Sequence, residues 1–464
     1  MIPQNSGARR DEIKRFLEDK GNKFYFMGIG GISMSTLAEI CIDKGLNVYG
    51  SDIAKTEVTK RLEGLGAKIF YDQRSQNVHT VLPDIAVYSL AIGEDSEELS
   101  ELRLLGIPTY SRAELLGAIL SEYERVISVS GSHGKSTAVS MAYAVFSAFG
   151  IEPTVMSGAE IAPHSGYIRG GKKLAIAEGC EYGSSFLELH PTVQILLNLD
   201  LDHVDYYPSI EDIKSAFREA ADLAEDFAVL SLDSENLLDI IPRLSGRAVT
   251  FSKNDGADYR YEIISSDGRG SEFLFYKKGG EPISFSLSVI GEHNVANAAA
   301  ILTAASALGY DISLAKSALR GFNGVSRRLE RIGRLGKCEI FYDYAHHPKE
   351  IGATRDALLG AGFKSIGVIF SPHTYSRTKA FFDDFARELS RFDFALLTEI
   401  YAARETDNLG VSSAILSSAV SDLGAFSEAA SPERAFNIVK ERSPDCLVLM
   451  GAGDLKEYKA YFEK

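Results

Sequence analysis

The stretch Ser128-Val129-Ser130-Gly131-Ser132-His133-Gly134-Lys135-Ser136-Thr137 sets one lysine and several hydroxyls on a glycine turn. A strand-like run, Arg125 to Ser130, enters the turn, and a helix-like run, Ala138 to Phe149, leaves it. That arrangement is a phosphate cradle. Backbone N–H groups and the positive end of a helix dipole face an anion, a lysine neutralises it, and a hydroxyl can ligate Mg²⁺. The turn is shorter than a Walker A loop, because Val129 stands where that motif has its first glycine. Two further groups suit the same chemistry. Glu178 ends the strand-like run Lys173 to Ala177, with Glu181 one helical turn on, and His203 sits among acids in Asp200-Leu201-Asp202-His203-Val204-Asp205. Carboxylate and phosphate oxygens suit Mg²⁺, and a neutral imidazole can add a ligand. An exposed strand-end acid and a capping or core histidine are the plainer alternatives.

Other polar clusters recur at strand ends. Lys23 to Met27 runs into Gly28-Ile29-Gly30-Gly31-Ile32-Ser33-Met34-Ser35, and the next strand, Leu46 to Gly50, ends at Ser51-Asp52. This βαβ unit could hold a dinucleotide with Asp52 on a ribose. Ser33 replaces the third fingerprint glycine, so what the turn supports is a diphosphate on a helix N-terminus, or a tight packing turn. Asn294 and Asn297 lie three apart at the start of an alanine-rich helix, where they could read a purine edge or cap the helix. Arg327-Arg328 is a pair of cations in a linker or a solvated turn. Asp343-Tyr344-Ala345-His346-His347-Pro348 and Ser371-Pro372-His373-Thr374-Tyr375-Ser376-Arg377 follow two later strands. The histidine pair lacks a third ligand at zinc spacing. Arg377 could clamp a carboxylate bidentately, sharing a face with His373 if that loop is helical.

Strands alternating with helices must position these groups, and in a parallel sheet the C-terminal strand ends line one crevice. The 464 residues predict an α/β protein of three domains. Residues 1–122 read as Rossmann-like. Residues 123–326 read as a P-loop-type parallel sheet with an antiparallel meander appended over Arg247 to Ile290, beginning at Val249-Thr250-Phe251. Residues 327–464 read as a second Rossmann-like domain. The net charge of −15 disfavours nucleic acid as a partner while leaving room for an anionic substrate in a locally positive site. Cys41, Cys180, Cys338 and Cys446 are scattered, which fits a reducing cytoplasm. A signal peptide and a membrane span are not expected.

With these segments in hand, the chain resembles the Mur ligases over nearly its whole length. The likeness is carried by Gly28 to Ser35, Gly131 to Thr137, Asn198 to His203, Gly291 to Ala298, Arg327-Arg328 and Asp343 to Pro348. The short cradle is this family's own form. Within the family the chain is similar to the branch that joins L-alanine to UDP-N-acetylmuramate with ATP, in cytoplasmic peptidoglycan synthesis. The resemblance implies that Gly28, Gly30, Gly31 and Ser33 hold the UDP diphosphate, with Asp52 near the uridine. It implies an ATP site of Gly131, Ser132, His133, Gly134, Lys135, Ser136 and Thr137, with Asn294 and Asn297 on adenine, and Arg328 and Asp343 on phosphate and ribose. Mg²⁺ would fall to Ser136, Glu178 and His203, and alanine to Tyr344, His373 and Arg377. Lys135, Glu178, His203 and Arg328 would carry the catalysis. Closure about the linkers at Ser121–Arg125 and Arg327 is implied, as is a monomer or weak homodimer. A family lysine that is carbamylated in some members is not carried over, since Lys214 falls at a different spacing. Departures include Ser132 and Ser136 for threonines, the bulky Tyr88-Ser89-Leu90-Ala91-Ile92 loop, the variant acidic motif Glu178 to Tyr182, and Arg404 for a glycine. The competing readings are a ligase attaching a preformed tripeptide in wall recycling, a nucleotide-dependent dehydrogenase, and an ATP-binding regulator.

Overall fold

The structure is a computed structural model, and it describes residues 6–90, 92–161, 164–204, 206–268, 270–403, 405–453 and 455–462. Ala91, Asp205 and Arg404, which the sequence reading touches, lie outside the described residues. The fold is α/β with three sheets. The chain divides into two compact units. The first holds Met1–Leu199, Ile213–Thr250 and Ala300–Asp311; the second holds Asp200–Asp212, Phe251–Ala299 and Ile312–Lys464.

In the first unit, five strands pair in the spatial order Lys68–Phe70, Asn47–Ser51, Lys23–Met27, Ile85–Tyr88, Thr109–Ser111, all parallel. The central strand is a continuous apolar run because helices cover both faces. One buried acid lies beneath it. Glu98 accepts from Tyr25 Oη at 2.5 Å, Ser51 Oγ at 2.6 Å and Asn77 Nδ2 at 2.9 Å, which fixes the strand end that presents Asp52. Burial pushes this carboxyl up, and the three donors oppose the shift.

The same unit carries Phe227–Ser231, Val193–Leu196, Val126–Ser130, Ala175–Glu178, Thr154–Met156 and Tyr167–Ile168 in that order, parallel except for the last pairing. The strand Val126–Ser130 is buried at every residue and ends at the cradle. The segment between the two sheets is tied down: Glu122 is bridged by Lys44 at 2.7 Å and Lys172 at 2.5 Å.

In the second unit, Tyr259–Asp267, Gly270–Lys277 and Ile283–Leu287 pair antiparallel, as expected. The meander as read from sequence needs one correction. Phe251 and Ser252 meet Tyr259 and Arg260 in parallel register, not antiparallel. The contact spans only two residue pairs, so the six residues between them need not build a full crossover.

The last sheet runs Glu330–Leu335, Cys338–Asp343, Cys446–Gly451, Ile366–Ser371, Phe394–Leu397, Phe426–Ala429, with one antiparallel hairpin at its start. Its central strand shows how period-two alternation builds two cores. Cys446, Val448 and Met450 pack with Phe370, Phe385 and Leu389, while Leu447 and Leu449 face Ile369, Leu396 and Ile438.

Candidate active site

The first unit holds the phosphate cradle. Gly134 adopts φ 82° just ahead of the helix Lys135–Ala148, a left-handed conformation that a side chain would strain. No side chain caps this helix, so its first N–H groups stay open to an anion. Asn198 staples the turn from the neighbouring strand end. Its Oδ1 accepts from His133 N at 2.8 Å, and its Nδ2 donates to His133 O at 3.1 Å.

Lys135 curls back over the turn. Its Nζ donates to Gly131 O at 2.7 Å, Ser132 O at 3.3 Å and Glu181 Oε1 at 2.9 Å. Burial opposes the charge on this ammonium, but Glu181, Cys180 and Glu178 outweigh it and hold the group above the ordinary lysine range. Beside it, Glu178 Oε2 accepts from Ser136 Oγ at 2.9 Å and Gly158 N at 2.9 Å. A carboxylate and a hydroxyl in contact are hard oxygen donors, the set that Mg²⁺ takes. Among the described residues no cluster of three or more His, Cys, Asp or Glu stands ready for a metal.

The other glycine turn, also in the first unit, is closed by its own acid. Asp52 Oδ2 accepts from Gly30 N at 2.8 Å, and a Cβ at Gly30 would lie 2.8 Å from that oxygen. Gly28 has φ 75°, and Gly31 precedes the helix Ile32–Asp43, which has no side-chain cap. Ser33 lies in the first turn of that helix. Lys214 pairs with Asp239 at 2.7 Å.

The second unit gathers a different set. Arg377 Nη2 donates to Asp202 Oδ1 at 2.7 Å, and its Nη1 lies 3.3 Å from His373 Nδ1. His373 precedes the short helix Tyr375–Ala380 rather than sharing it, yet the two side chains meet. Asp202 Oδ1 also accepts from His203 N at 2.7 Å, where His203 has φ 52°. Burial works against the charge on Asp202, but Arg377, His203 and His346 hold it well below the usual carboxylate range. Glu405 clamps the loop, accepting from Tyr375 N at 2.5 Å and Ser376 N at 3.0 Å and pairing with the Ser376 hydroxyl.

Nearby in sequence, Arg327 and Leu329 hold positive φ, a strained turn of a kind that gathers at working sites. Arg327 and Arg328 both lie over the Tyr344 ring, at 4.8 and 5.1 Å. Asp343 accepts from Leu329 N at 3.0 Å, Ala345 N at 2.8 Å and Thr354 Oγ1 at 3.3 Å. Asn294 Nδ2 donates to Ile290 O at 2.8 Å, whereas Nδ2 of Asn297 is buried with no acceptor. A buried amide donor left open invites a ligand acceptor.

Spacing alone did not reveal Glu181 as the partner of Lys135, Asp202 as the partner of Arg377, or Glu405. The only signals were Glu181 at one turn past Glu178 and the acids flanking His203.

The buried rings have a measurable consequence. Burial lowers His346 to about 4, and burial together with Arg377 lowers His373 to about 4. An unfolded histidine titrates near 6.5, so the unfolded chain binds more protons below that pH, and stability present above it is lost as pH falls through 4. Asp343 runs the other way, since burial lifts it to about 6 and the folded chain takes its proton first. Two protons against one make the share of these three groups a loss of about 1.4 kcal/mol per pH unit between pH 6 and 4. Urea unfolding at stepped pH is expected to show a slope lower in His373→Gln than in wild type by about 1.4 kcal/mol per pH unit. An unchanged slope in the variant would contradict the assignment.

A phosphate cradle at a strand–helix turn, on a chain with three largely parallel sheets, is the mark of a phosphate-binding α/β protein. Comparison with known proteins narrows the class. The family models for the Mur ligase family catalytic domain, the Mur ligase middle domain and the Mur ligase glutamate ligase domain match residues 23–124, 129–305 and 327–453. The UDP-N-acetylmuramate–L-alanine ligase of Caldanaerobacter subterraneus subsp. tengcongensis is 40% identical over 399 residues, covering 85% of this chain and 86% of its own. That of Acetivibrio thermocellus is 38% identical over 456 residues, covering 96% of each. The crystal structure of the UDP-N-acetylmuramate–alanine ligase of Thermotoga maritima superposes with a TM-score of 0.79 at 27% identity, over 95% of this chain and 98% of that one. A murein peptide ligase from Psychrobacter arcticus shares the fold at a TM-score of 0.70 and 21% identity, over 95% of this chain and 97% of its own. The chain belongs to the Mur ligase family.

Proposed function

We propose that this ligase joins L-alanine to the lactyl carboxylate of UDP-N-acetylmuramate, with ATP converted to ADP and phosphate. What carries the reading is the likeness to L-alanine ligases at about 40% identity over most of both chains, with the lysine cradle as its chemical counterpart. The lactyl carboxylate attacks the γ-phosphorus of ATP and an acyl phosphate forms. The alanine amine then adds to the acyl carbon, and phosphate leaves from the tetrahedral intermediate. The reaction brings polyanions together, so charge neutralisation and positioning provide the rate.

In this reading Lys135 holds the β- and γ-phosphates, while Gly131, Ser132, His133, Gly134 and Thr137 frame them. Asn297, with its open donor, and Asn294 read adenine; Arg328 meets phosphate. Asp343 keeps one acceptor position on Oδ1 for a ribose hydroxyl, its other bonds fixing the Leu329 turn. Ser136, Glu178 and His203 would hold Mg²⁺, which supplies charge neutralisation at the phosphates. Tyr344, His373 and Arg377 receive alanine, with Arg377 on its carboxylate. Gly28, Gly30, Gly31 and Ser33 hold the UDP diphosphate, with Asp52 bracing that turn. Residues 1–122, 123–326 and 327–464 then serve the nucleotide sugar, ATP, and alanine with ATP. Among the described residues no helix is long and apolar enough to cross a membrane, and we place the reaction in the cytoplasm.

Phosphate release with UDP-N-acetylmuramate and ATP tests the reading. L-Alanine is expected to drive turnover, with glycine and L-serine slower. Turnover with the L-alanyl-γ-D-glutamyl-meso-diaminopimelate tripeptide and not with L-alanine would move the chain to the recycling branch.

A further inference from the structure

An ammonium has three N–H donors, and Lys135 uses all three: on Gly131 O, on Ser132 O and on Glu181. Glu181 Oε2 also lies 2.8 Å from the same Nζ, so both carboxylate oxygens address the lysine. Glu181 is 1% exposed, yet the proposed transfer gives it no task. We infer that Glu181 is a positioning residue that holds Lys135 in the ATP-free enzyme and gives it up to the arriving triphosphate. The inference rests on the ATP reading of the cradle.

Counting donors leads to the exchange. A phosphate oxygen can bond Nζ only by displacing one of the present acceptors. Gly131 O and Ser132 O are fixed by the backbone of the turn, and the turn itself is stapled by Asn198. Glu181 reaches Nζ through a side chain with rotatable bonds, and it carries a negative charge that the triphosphate repels. The carboxylate is therefore the acceptor that leaves. It resembles an internal stand-in for a phosphate oxygen, keeping the lysine aimed across the turn and away from other partners. Holding the lysine this way weakens ATP binding, because the carboxylate must be displaced before a phosphate oxygen reaches Nζ.

The test separates this exchange from a structural role. Glu181→Gln keeps the shape and removes the charge. Calorimetric titration with ATP alone is expected to show binding tighter by about threefold to tenfold, since a charge-assisted acceptor no longer competes. In the full reaction kcat at saturating ATP is expected to stay within about twofold of wild type, because Glu181 has already released Lys135, while KM for ATP falls. A purely structural role would weaken ATP binding and lower kcat together, and that result, or no change in either, overturns the inference. If Glu181→Gln does not fold, Glu181→Asp decides: tighter ATP binding at an unchanged melting temperature supports the inference, and unchanged or weaker ATP binding overturns it. A wild-type enzyme that binds no ATP would overturn the cradle reading itself, whereas ATP binding unaffected by Glu181→Gln overturns only the role of Glu181.

Discussion

Replacing Lys135 by Ala is expected to abolish phosphate release that depends on ATP and L-alanine, with kcat falling about a thousandfold or more. The size follows from what the ammonium does. It is a cation bonded to the turn where the transferring phosphoryl group would sit, in largely buried surroundings; its side chain is 15% exposed. Stability falls as well. Removing Lys135 takes from the buried Glu181 the ammonium that pairs with it, at a cost of about 3–5 kcal/mol. The two effects come apart in a double variant. Lys135→Met with Glu181→Gln is expected to regain most of the lost unfolding free energy and none of the activity. Wild-type-like turnover in Lys135→Ala would sink the assignment of the cradle.

That experiment also marks where sequence reading stops. The turn from Gly131 to Lys135 was legible because strand, turn and helix follow one another and each is set by local chemistry. The strand ends at Glu178, Asp343 and Ser371 were legible for the same reason: continuous buried runs stop where polar residues begin. Glu181 comes 46 residues after Lys135, Glu405 comes 30 after Tyr375, and Asp202 lies 175 from Arg377. No local pattern records such pairs; they follow from which strands become neighbours. The parallel meeting of Phe251 with Tyr259 was missed because alternating strands split by turn residues look the same in either direction. His373 and Arg377 were expected to meet through helical spacing. They meet although the helix starts after His373, because Glu405 and the backbone of Tyr401 fix the loop.

Arg377 carries the second large expectation. Its guanidinium and the Asp202 carboxylate are both nearly buried, at 12% and 6% exposure, and their contact is 2.7 Å. Asp202 therefore does two jobs. It orients the guanidinium, and through His203 N it pins the backbone that presents His203. Beside Arg377 the His373 ring stays neutral at physiological pH, so the pair offers one cation and one neutral hydrogen-bonding ring. On the proposed reading that suits an amino-acid carboxylate without a second fixed charge competing for it. Arg377→Ala is expected to lower kcat/KM for L-alanine at least a hundredfold and to destabilise the fold by about 3–5 kcal/mol, because the buried Asp202 loses its guanidinium partner. Arg377→Lys keeps the charge but loses the planar fork, so KM for L-alanine rises while ATP binding holds. Arg377→Ala combined with Asp202→Ala then isolates the pair. If the two act as one unit, the double variant loses less stability than the single losses added together and remains inactive. Strict additivity in urea unfolding would show that the contact carries no coupling, and the role of Asp202 as the orienting partner would fall.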